Sequence, residues 1–587
     1  MRKSVLFLAA AAAIVIAPMS LLLIFPRAAS SMDWQNNLWM IGYDRVYFST
    51  HDAFPPVYNV AGYVGIPQPI FYGPLLYPWL AILSEPFGEG VAVRAACLGL
   101  WGLQCWLVYR LSRVVSATRM EALVAAAATS WSVYALTNLY SRGAVAEFFG
   151  TSFLQCAVAA GGLALAEPLH QRRIPHALLA ALCAAMALGS HAPTAVAGGS
   201  MLIVLALAAL PWRARREAAS VGKRTAVAIG MLAAALIAVS PFLYALTHTS
   251  GPLAISGPNE YLHVAGKWTR LEAADSWWAR LAPLPIPQSW TAGTEQGLTP
   301  HLDAQWNFPL ALLAFCACVS VTFRRRARGR RDAWPLLIAS IAVTAFLLVL
   351  SISPAMQDAL PLKLAAAIQF PYRLVSEVNI ALLAVLIAAW SVRGRAFPSS
   401  RRSNRIILTT AVSLAALGLG MKLLFVVSDI PDDASAPAAT DDRLDQLPST
   451  FVGQHDYTVQ IPARAAGQLA QETGERMEIP IGAGPLQDVQ EATADFPAST
   501  WVITSVLNFP WNRLLLDGRP IPFDEVHNLY FHQAVFVTAG EHRFGYRFEP
   551  DPVWTILRYV SAATLLILAA SSAVCFARRG IMGIQHG

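Results

Sequence analysis

The few ionisable residues that stand where an apolar chain meets its polar ends are the ones whose type and spacing point to chemistry. Asp33, in SMDWQNNLWM, follows a long apolar run by a turn or two and is flanked by Trp34 and Trp39, residues that favour the membrane–water interface. A carboxylate there can take a proton from a hydroxyl of a substrate delivered from the bilayer. It can equally cap a helix that begins with WQNNLWM, and the two roles are compatible. Asp44 in GYDRVYF and Asp52 in STHDAFPPV are competing acids, and their more polar context points to plain solvent exposure.

Arg142 and Glu147 lie five residues apart across a glycine in YSRGAVAEF. As an internal pair they would close a helix hairpin. As a binding pair, Arg142 would grip a phosphate or carboxylate in bidentate fashion while Glu147 orients it or a sugar hydroxyl. His191, in GSHAPTAV, ends another apolar run and reads either as a satisfied turn residue or as an acid–base or phosphate contact. Arg94 in AVRAAC and Arg373 in IQFPYRLV begin apolar runs at ends where positive charge is otherwise scarce, which makes them anion-binding candidates.

What must hold these residues is a set of membrane helices. Of 587 residues, 56% are hydrophobic and 13% charged, against about 25% charged in an ordinary soluble protein. The 36 acids and 43 bases cannot supply polar shells for several soluble cores. Apolar runs near the ~20 residues that cross a bilayer occur at about 4–25, 91–109, 121–139, 145–166, 177–190, 195–211, 225–247, 306–323, 333–353, 371–391, 406–427 and 553–576. Twelve spans put both termini on one side. Alternate short connections carry 25 of the 43 Lys and Arg, including RRRARGRR at 324–331, so those connections face the cytoplasm. The +7 net charge is thereby a topology signal and gives no support to a nucleic-acid partner.

The opposite connections, 26–90, 248–305, 354–370 and 428–552, are long and poor in base, hence external: periplasmic in a Gram-negative inner membrane. The stretch 70–87 is apolar, but a span there would invert every later loop, so an interfacial or re-entrant helix is expected. The first apolar run is expected to remain as an uncleaved helix. The chain divides into a multi-span domain over 1–427, an external β-rich region over 428–552, and a last helix with a cytoplasmic tail over 553–587. SDIPDDASAPAAT has linker composition, and YTVQI, TWVITSVL, AVFVTAG and a hairpin signal at Asp517-Gly518 predict a small β-sandwich. The seven cysteines fall in apolar runs without a CxxC pair and read as buried hydrophobes.

Taken in order, Asp33-Trp34 with VAGYVGIPQPIFYGPLLYPW, the YSRGAVAEFF turn, SHAPTAV and Gln369-Phe370-Pro371-Tyr372-Arg373 resemble a bacterial polytopic membrane family described as 6-pyruvoyl-tetrahydropterin synthase related. Nothing in the chain resembles the histidine zinc site of the soluble pterin synthase. The membrane family is similar to GT-C glycosyltransferases, which have many spans, an acid in the first external loop and a polyprenyl-phosphate sugar donor. NFPWNRLLLDGRPIPF and FVTAGEHRFGYRFEP likewise resemble the terminal β-domain of bacterial membrane proteins implicated in glycosylating surface polymers.

The resemblance implies transfer of a hexose or pentose from a lipid-linked donor to a glycan, lipid or protein acceptor. Asp33 would be the catalytic base. Arg142, Arg94 and Arg373 would be candidates for the phosphate, and Glu147 and His191 would position the sugar. Tyr140 and Gln369 would complete the substrate-binding set from their motifs. The 248–305 loop, with Trp268, Trp277, Trp278 and Trp290, would serve as a lid or as a lipid anchor. Many GT-C enzymes carry a second acid or a histidine beside the first, whereas here Trp34, Gln35 and Asn36 follow Asp33. No cofactor is therefore expected, and a divalent metal is not required. A transporter or assembly factor for lipid-linked saccharides is the alternative.

Overall fold

The computed structural model describes residues 2–24, 32–60, 62–166, 170–212, 219–249, 281–285, 305–322, 331–353, 355–356, 359, 371–393, 401–428, 444, 477–479, 481, 489, 491–529 and 532–584. Gln369, the four lid tryptophans, the linker after 428 and YTVQI lie outside the described residues.

Each of the twelve apolar runs is helical. Among the described residues eight helices are long and apolar enough to cross a membrane: 89–114, 119–141, 145–166, 173–190, 334–352, 375–393, 404–427 and 552–578. A further pair, Thr225–Ala238 and Ser240–Thr249, passes the same test together but bends by 61° at its break. Pro241 begins the second half, where its missing N–H and fixed φ break the hydrogen-bond ladder. The segments 7–23, 196–209 and 308–322 are shorter apolar helices, the first interrupted by a 3₁₀ turn at Ala17–Met19 that contains Pro18. Within 70–87 the longest helix is Leu76–Ser84, nine residues, about 13 Å against ~30 Å of hydrocarbon.

We label the helices that hold the site α1 (Met32–His51), α2 (Arg119–Ser130), α3 (Val145–Ala166), α4 (His170–Ser190), α5 (Ala192–Ala209), α6 (Val375–Arg393) and α7 (Pro552–Ile584). Helix α6 is the central pillar, buried along almost its whole length. Its polar residues act as clamps: Asn379 Oδ1 accepts from the Asn307 backbone N–H at 2.7 Å, and Asn307 Nδ2 donates to the Ala128 carbonyl at 2.6 Å. At the other end Arg393 pairs with Glu121 at 2.9 Å. Glu121 also completes a capping box with Thr118 that starts α2.

Among the described residues ten short strands form two sheets. The first has the order β1 (Tyr58–Val60), β2 (Tyr63–Ile66), β5 (Thr500–Leu507), β9 (His532–Val537), β8 (His527–Leu529), with β3 (Met477–Ile479) also on β5. The second has the order β4 (Ala492–Phe496), β10 (Gly540–Phe548), β6 (Asn512–Leu516), β7 (Arg519–Pro520). Val64, Val502, Val506 and Val535 of one sheet share a buried core with Phe496, Leu514 and Phe544 of the other, the packing of a sandwich. Asp517 and Gly518 both have positive φ, 53° and 76°, and close the β6–β7 hairpin, a conformation that Asp-Gly favours.

The β-rich region is not confined to 428–552, because two of its strands come from the first loop. β2 meets β5 in parallel at Val64 and Val506, and Asn512 Nδ2 donates to the Gly65 carbonyl at 2.8 Å, 447 residues away. Val57, Phe71, Phe242, Trp511 and Trp554 then form a common apolar cluster that joins the first loop and the bent pair to the β-region and α7.

Candidate active site

The site is built around a turn. After α2 the chain passes through a π-helical segment, Thr137–Ser141, in which the Arg142 N–H bonds back to the Thr137 carbonyl at 2.9 Å. One extra residue per turn rotates Arg142 inward, a distortion that recurs at functional sites. Gly143, at φ +63°, then reverses the chain into α3, so that Glu147 in its first turn faces Arg142.

Glu147 is 1% exposed and both of its oxygens are hydrogen-bonded by protein groups. Oε2 takes Arg142 Nη1 at 2.8 Å and has Arg373 Nε at 3.4 Å. Oε1 takes the Tyr134 hydroxyl at 2.8 Å and Asn138 Nδ2 at 3.1 Å. Arg142 Nη1 also donates to Asn138 Oδ1 at 2.7 Å. A buried pair survives only when hydrogen bonds of this kind offset its desolvation. Arg373 arrives from the 3₁₀ turn Pro371–Leu374 that opens α6, and its side chain is 16% exposed against 5% for Arg142.

Asp33 is the open member of the group. It stands inside the first turn of α1 rather than at its cap, where free N–H groups still favour a carboxylate. One turn on, Asn37 Nδ2 donates to the Asp33 carbonyl and, at 3.2 Å, to that of Gly143, while Tyr77 donates to Asn37 Oδ1 at 2.6 Å. These bonds set the acid beside the Arg142 turn. Its carboxyl keeps accessible surface yet is crowded by protein beyond its first neighbours. That crowding raises its pKa above the usual carboxylate value, while Arg142 and then Arg373 pull it back and Glu147 adds to the rise.

His191 closes the group from the α4–α5 junction. It is 3% exposed, its Nδ1 lies 3.0 Å from Thr194 Oγ1, and its ring meets Tyr72 edge-on at 6.2 Å. Burial pushes its pKa down to about 3, Glu147 opposes the shift, and Arg373 and Arg142 add to it. A lowered pKa favours the neutral imidazole, which offers hydrogen bonds rather than charge.

The remaining candidates separate. Tyr140 is buried and donates to the Pro18 carbonyl at 2.7 Å, holding the first helix rather than joining Glu147. Arg94 is half-buried at the start of its helix, and among the described residues no hydrogen bond or ion pair ties it to the group. Asp52 is exposed, but Asp44 is 2% exposed, packed near Tyr43, Tyr58 and Arg558, which overturns the expectation of solvent exposure. Its helix face meets β1 and α7, contacts that its polar sequence neighbours do not announce.

Sequence reasoning missed the neutral partners Asn37, Tyr72, Tyr77, Tyr134 and Asn138. It also missed Glu377, 2% exposed on α6 and close enough to feel the charge of Glu147. Glu377 did carry a signal, since it is an acid near the start of an apolar run, four residues after Arg373. Among the described residues no three His, Cys, Asp or Glu side chains gather as a metal-holding group. Neither a protein-family model, nor a curated protein, nor a solved structure matches the chain.

Proposed function

We propose that the chain is a GT-C-like membrane glycosyltransferase that moves a sugar from a polyprenyl phosphate to a glycan, lipid or protein acceptor at the outer face of a bacterial inner membrane. In this reading all twelve apolar helices span, the bent pair counting once, both termini are cytoplasmic, and the β-region lies in the periplasm. The distribution of Lys and Arg among the connections supports that orientation.

The observation that carries the reading is the meeting of an open acid of raised pKa, Asp33, with the buried Arg142–Glu147–Arg373 group. Inverting transfer needs a base for the acceptor hydroxyl and a cation for the departing phosphate. Asp33 takes the hydroxyl proton, the acceptor oxygen bonds to the anomeric carbon, and the bond from that carbon to the phosphate oxygen breaks. Polyprenyl phosphate leaves with the bonding electrons. Arg373, the more open guanidinium, receives the phosphate. Arg142 and Glu147, already bonded to each other, hold Arg373 in place. His191 and Tyr72 line the same group as neutral hydrogen-bonding side chains.

Purified protein in lipid nanodiscs, assayed for consumption of polyprenyl-phosphate sugars, tests this directly. Asp33→Asn is expected to abolish transfer while retaining donor binding; transfer at the wild-type rate removes Asp33 as the base. The completeness of the bonds around Glu147 is also what a purely architectural ion group would have. That favours the assembly-factor reading as the second choice, in which the wild type binds the donor and never consumes it.

A further inference from the structure

Among the described residues, Glu377 is a buried acid near this group with an oxygen that the protein leaves unserved. It lies in the first turn of α6, four residues after Arg373, and is 2% exposed. Glu147 has protein donors on both oxygens, but Glu377 Oε2 is buried and receives no hydrogen bond among the described residues. No basic side chain among them pairs with it either. Buried acceptors are almost always served, and a residue that breaks the rule calls for a donor from elsewhere. Packing alone does not explain an acid here, because leucine would fill the place in an otherwise apolar helix without that cost.

We propose that Glu377 reads the sugar of the lipid-linked donor, its Oε2 accepting a ring hydroxyl. This rests on the proposed function and adds the group that tells a sugar-bearing lipid from the bare phosphate. Arg373 and Glu377 are four residues apart across the join of the 3₁₀ turn and α6, a rise of roughly 6–7 Å. The sugar hangs directly from the phosphate, so a phosphate at Arg373 carries ring hydroxyls to the neighbourhood of Glu377. Glu377 touches neither the breaking bond nor the proton in this scheme and is a specificity residue.

Equilibrium binding to the full chain in nanodiscs tests the assignment. The probes are polyprenyl phosphate and the same lipid carrying glucose, mannose or arabinose. Wild type is expected to prefer at least one sugar-bearing lipid over the bare phosphate by roughly two- to tenfold, the worth of one buried hydrogen bond. Glu377→Leu is expected to lose that preference with unchanged affinity for polyprenyl phosphate, which also reports that it is folded. Glu377→Gln, which keeps an acceptor oxygen, is expected to retain part of it. If wild type shows the preference and Glu377→Leu keeps it in full, the assignment to Glu377 is overturned while the proposed function stands. If wild type binds none of these lipids, the lipid-linked-donor reading falls and this assignment with it.

Discussion

Asn37 Nδ2 donates to the carbonyl of Gly143 at 3.2 Å, fastening the helix that carries Asp33 to the turn that carries Arg142. The bond joins residues 106 apart in sequence and is buried. Its other end is held as well, since Tyr77 donates to Asn37 Oδ1 at 2.6 Å. The helix of the open acid is thus fastened by an amide rather than by the Asp33 carboxylate.

Replacing this amide should affect stability and turnover together. Asn37→Leu takes one hydrogen bond each from the Tyr77 hydroxyl and the Gly143 carbonyl, about 0.5–1.5 kcal/mol for each bond lost. Thermal unfolding followed by tryptophan fluorescence should show a lower midpoint, and sugar transfer should fall further than the loss of folded protein explains. Tyr77→Phe removes one bond and should be milder. An Asn37→Leu protein that melts and turns over like wild type would refute the positioning role.

The acidity of Asp33 gives a signed pH prediction. In its proposed role as base it works ionised, so kcat/KM should rise with pH through a pKa above the ordinary value of 3.8 and then level off. Arg373 lowers that pKa. Arg373→Met should therefore move the rising limb to higher pH, besides weakening donor binding. A limb that stays in place, or moves to lower pH, contradicts the assignment of that limb to Asp33.

The buried ion group should behave as a unit. Glu147→Gln leaves Arg142 and Arg373 without their shared carboxylate, and breaking a buried pair costs about 3–5 kcal/mol. Both members of the closest pair are nearly inaccessible, 1% and 5% exposed, so solvent screening gives little relief. Adding Arg142→Met to Glu147→Gln should recover part of the loss. A double-mutant cycle on unfolding midpoints measures the coupling, and strict additivity would show that the two residues do not interact.

The parts legible in the sequence are those that depend on local pattern. Apolar runs marked the helices, Asp517-Gly518 marked its hairpin, and TWVITSVL is a strand over its full length. The Arg142–Glu147 contact was readable from spacing across a glycine. The parts that were not legible depend on neutral or distant partners. Tyr134, Asn138 and Asn37 carry no charge to betray them in an apolar chain, and Asn138 is placed by a π-helical turn that spacing does not foretell. The pairing of Val64 with Val506 is a single parallel contact between segments far apart in sequence.

That distant contact can be tested at Gly65. Its φ of +79° suits glycine, and a Cβ there would run into the Asn512 side chain that binds the Gly65 carbonyl. Gly65→Ala therefore adds backbone strain of about 1–2 kcal/mol to a steric clash. Amide exchange should accelerate in 63–66 and in the facing part of β5, with the membrane helices unchanged. Equal protection in both proteins would mean that this contact does not hold the first loop to the β-region.

Asp44 predicts how stability depends on pH. Burial raises its pKa to about 8, with Tyr58 and Arg558 pulling the other way, whereas in the unfolded chain it titrates near ~3.9. Between those values the folded protein holds a proton that the unfolded chain has released. The stabilisation is therefore complete below the unfolded pKa and drains away as pH rises, at up to about 1.4 kcal/mol per unit, until the folded pKa is passed. Asp44→Asn, which cannot release a proton, should remove this slope. Unfolding midpoints of the two proteins from pH 5 to pH 9 supply the test, read as their difference so that other titrating groups cancel. The wild type should lose ground steadily up to about pH 8 and then run parallel to the variant. Two parallel curves over the whole range would show that Asp44 is ionised in the fold, and the cluster around Tyr43, Tyr58 and Arg558 would then have to be holding a charge.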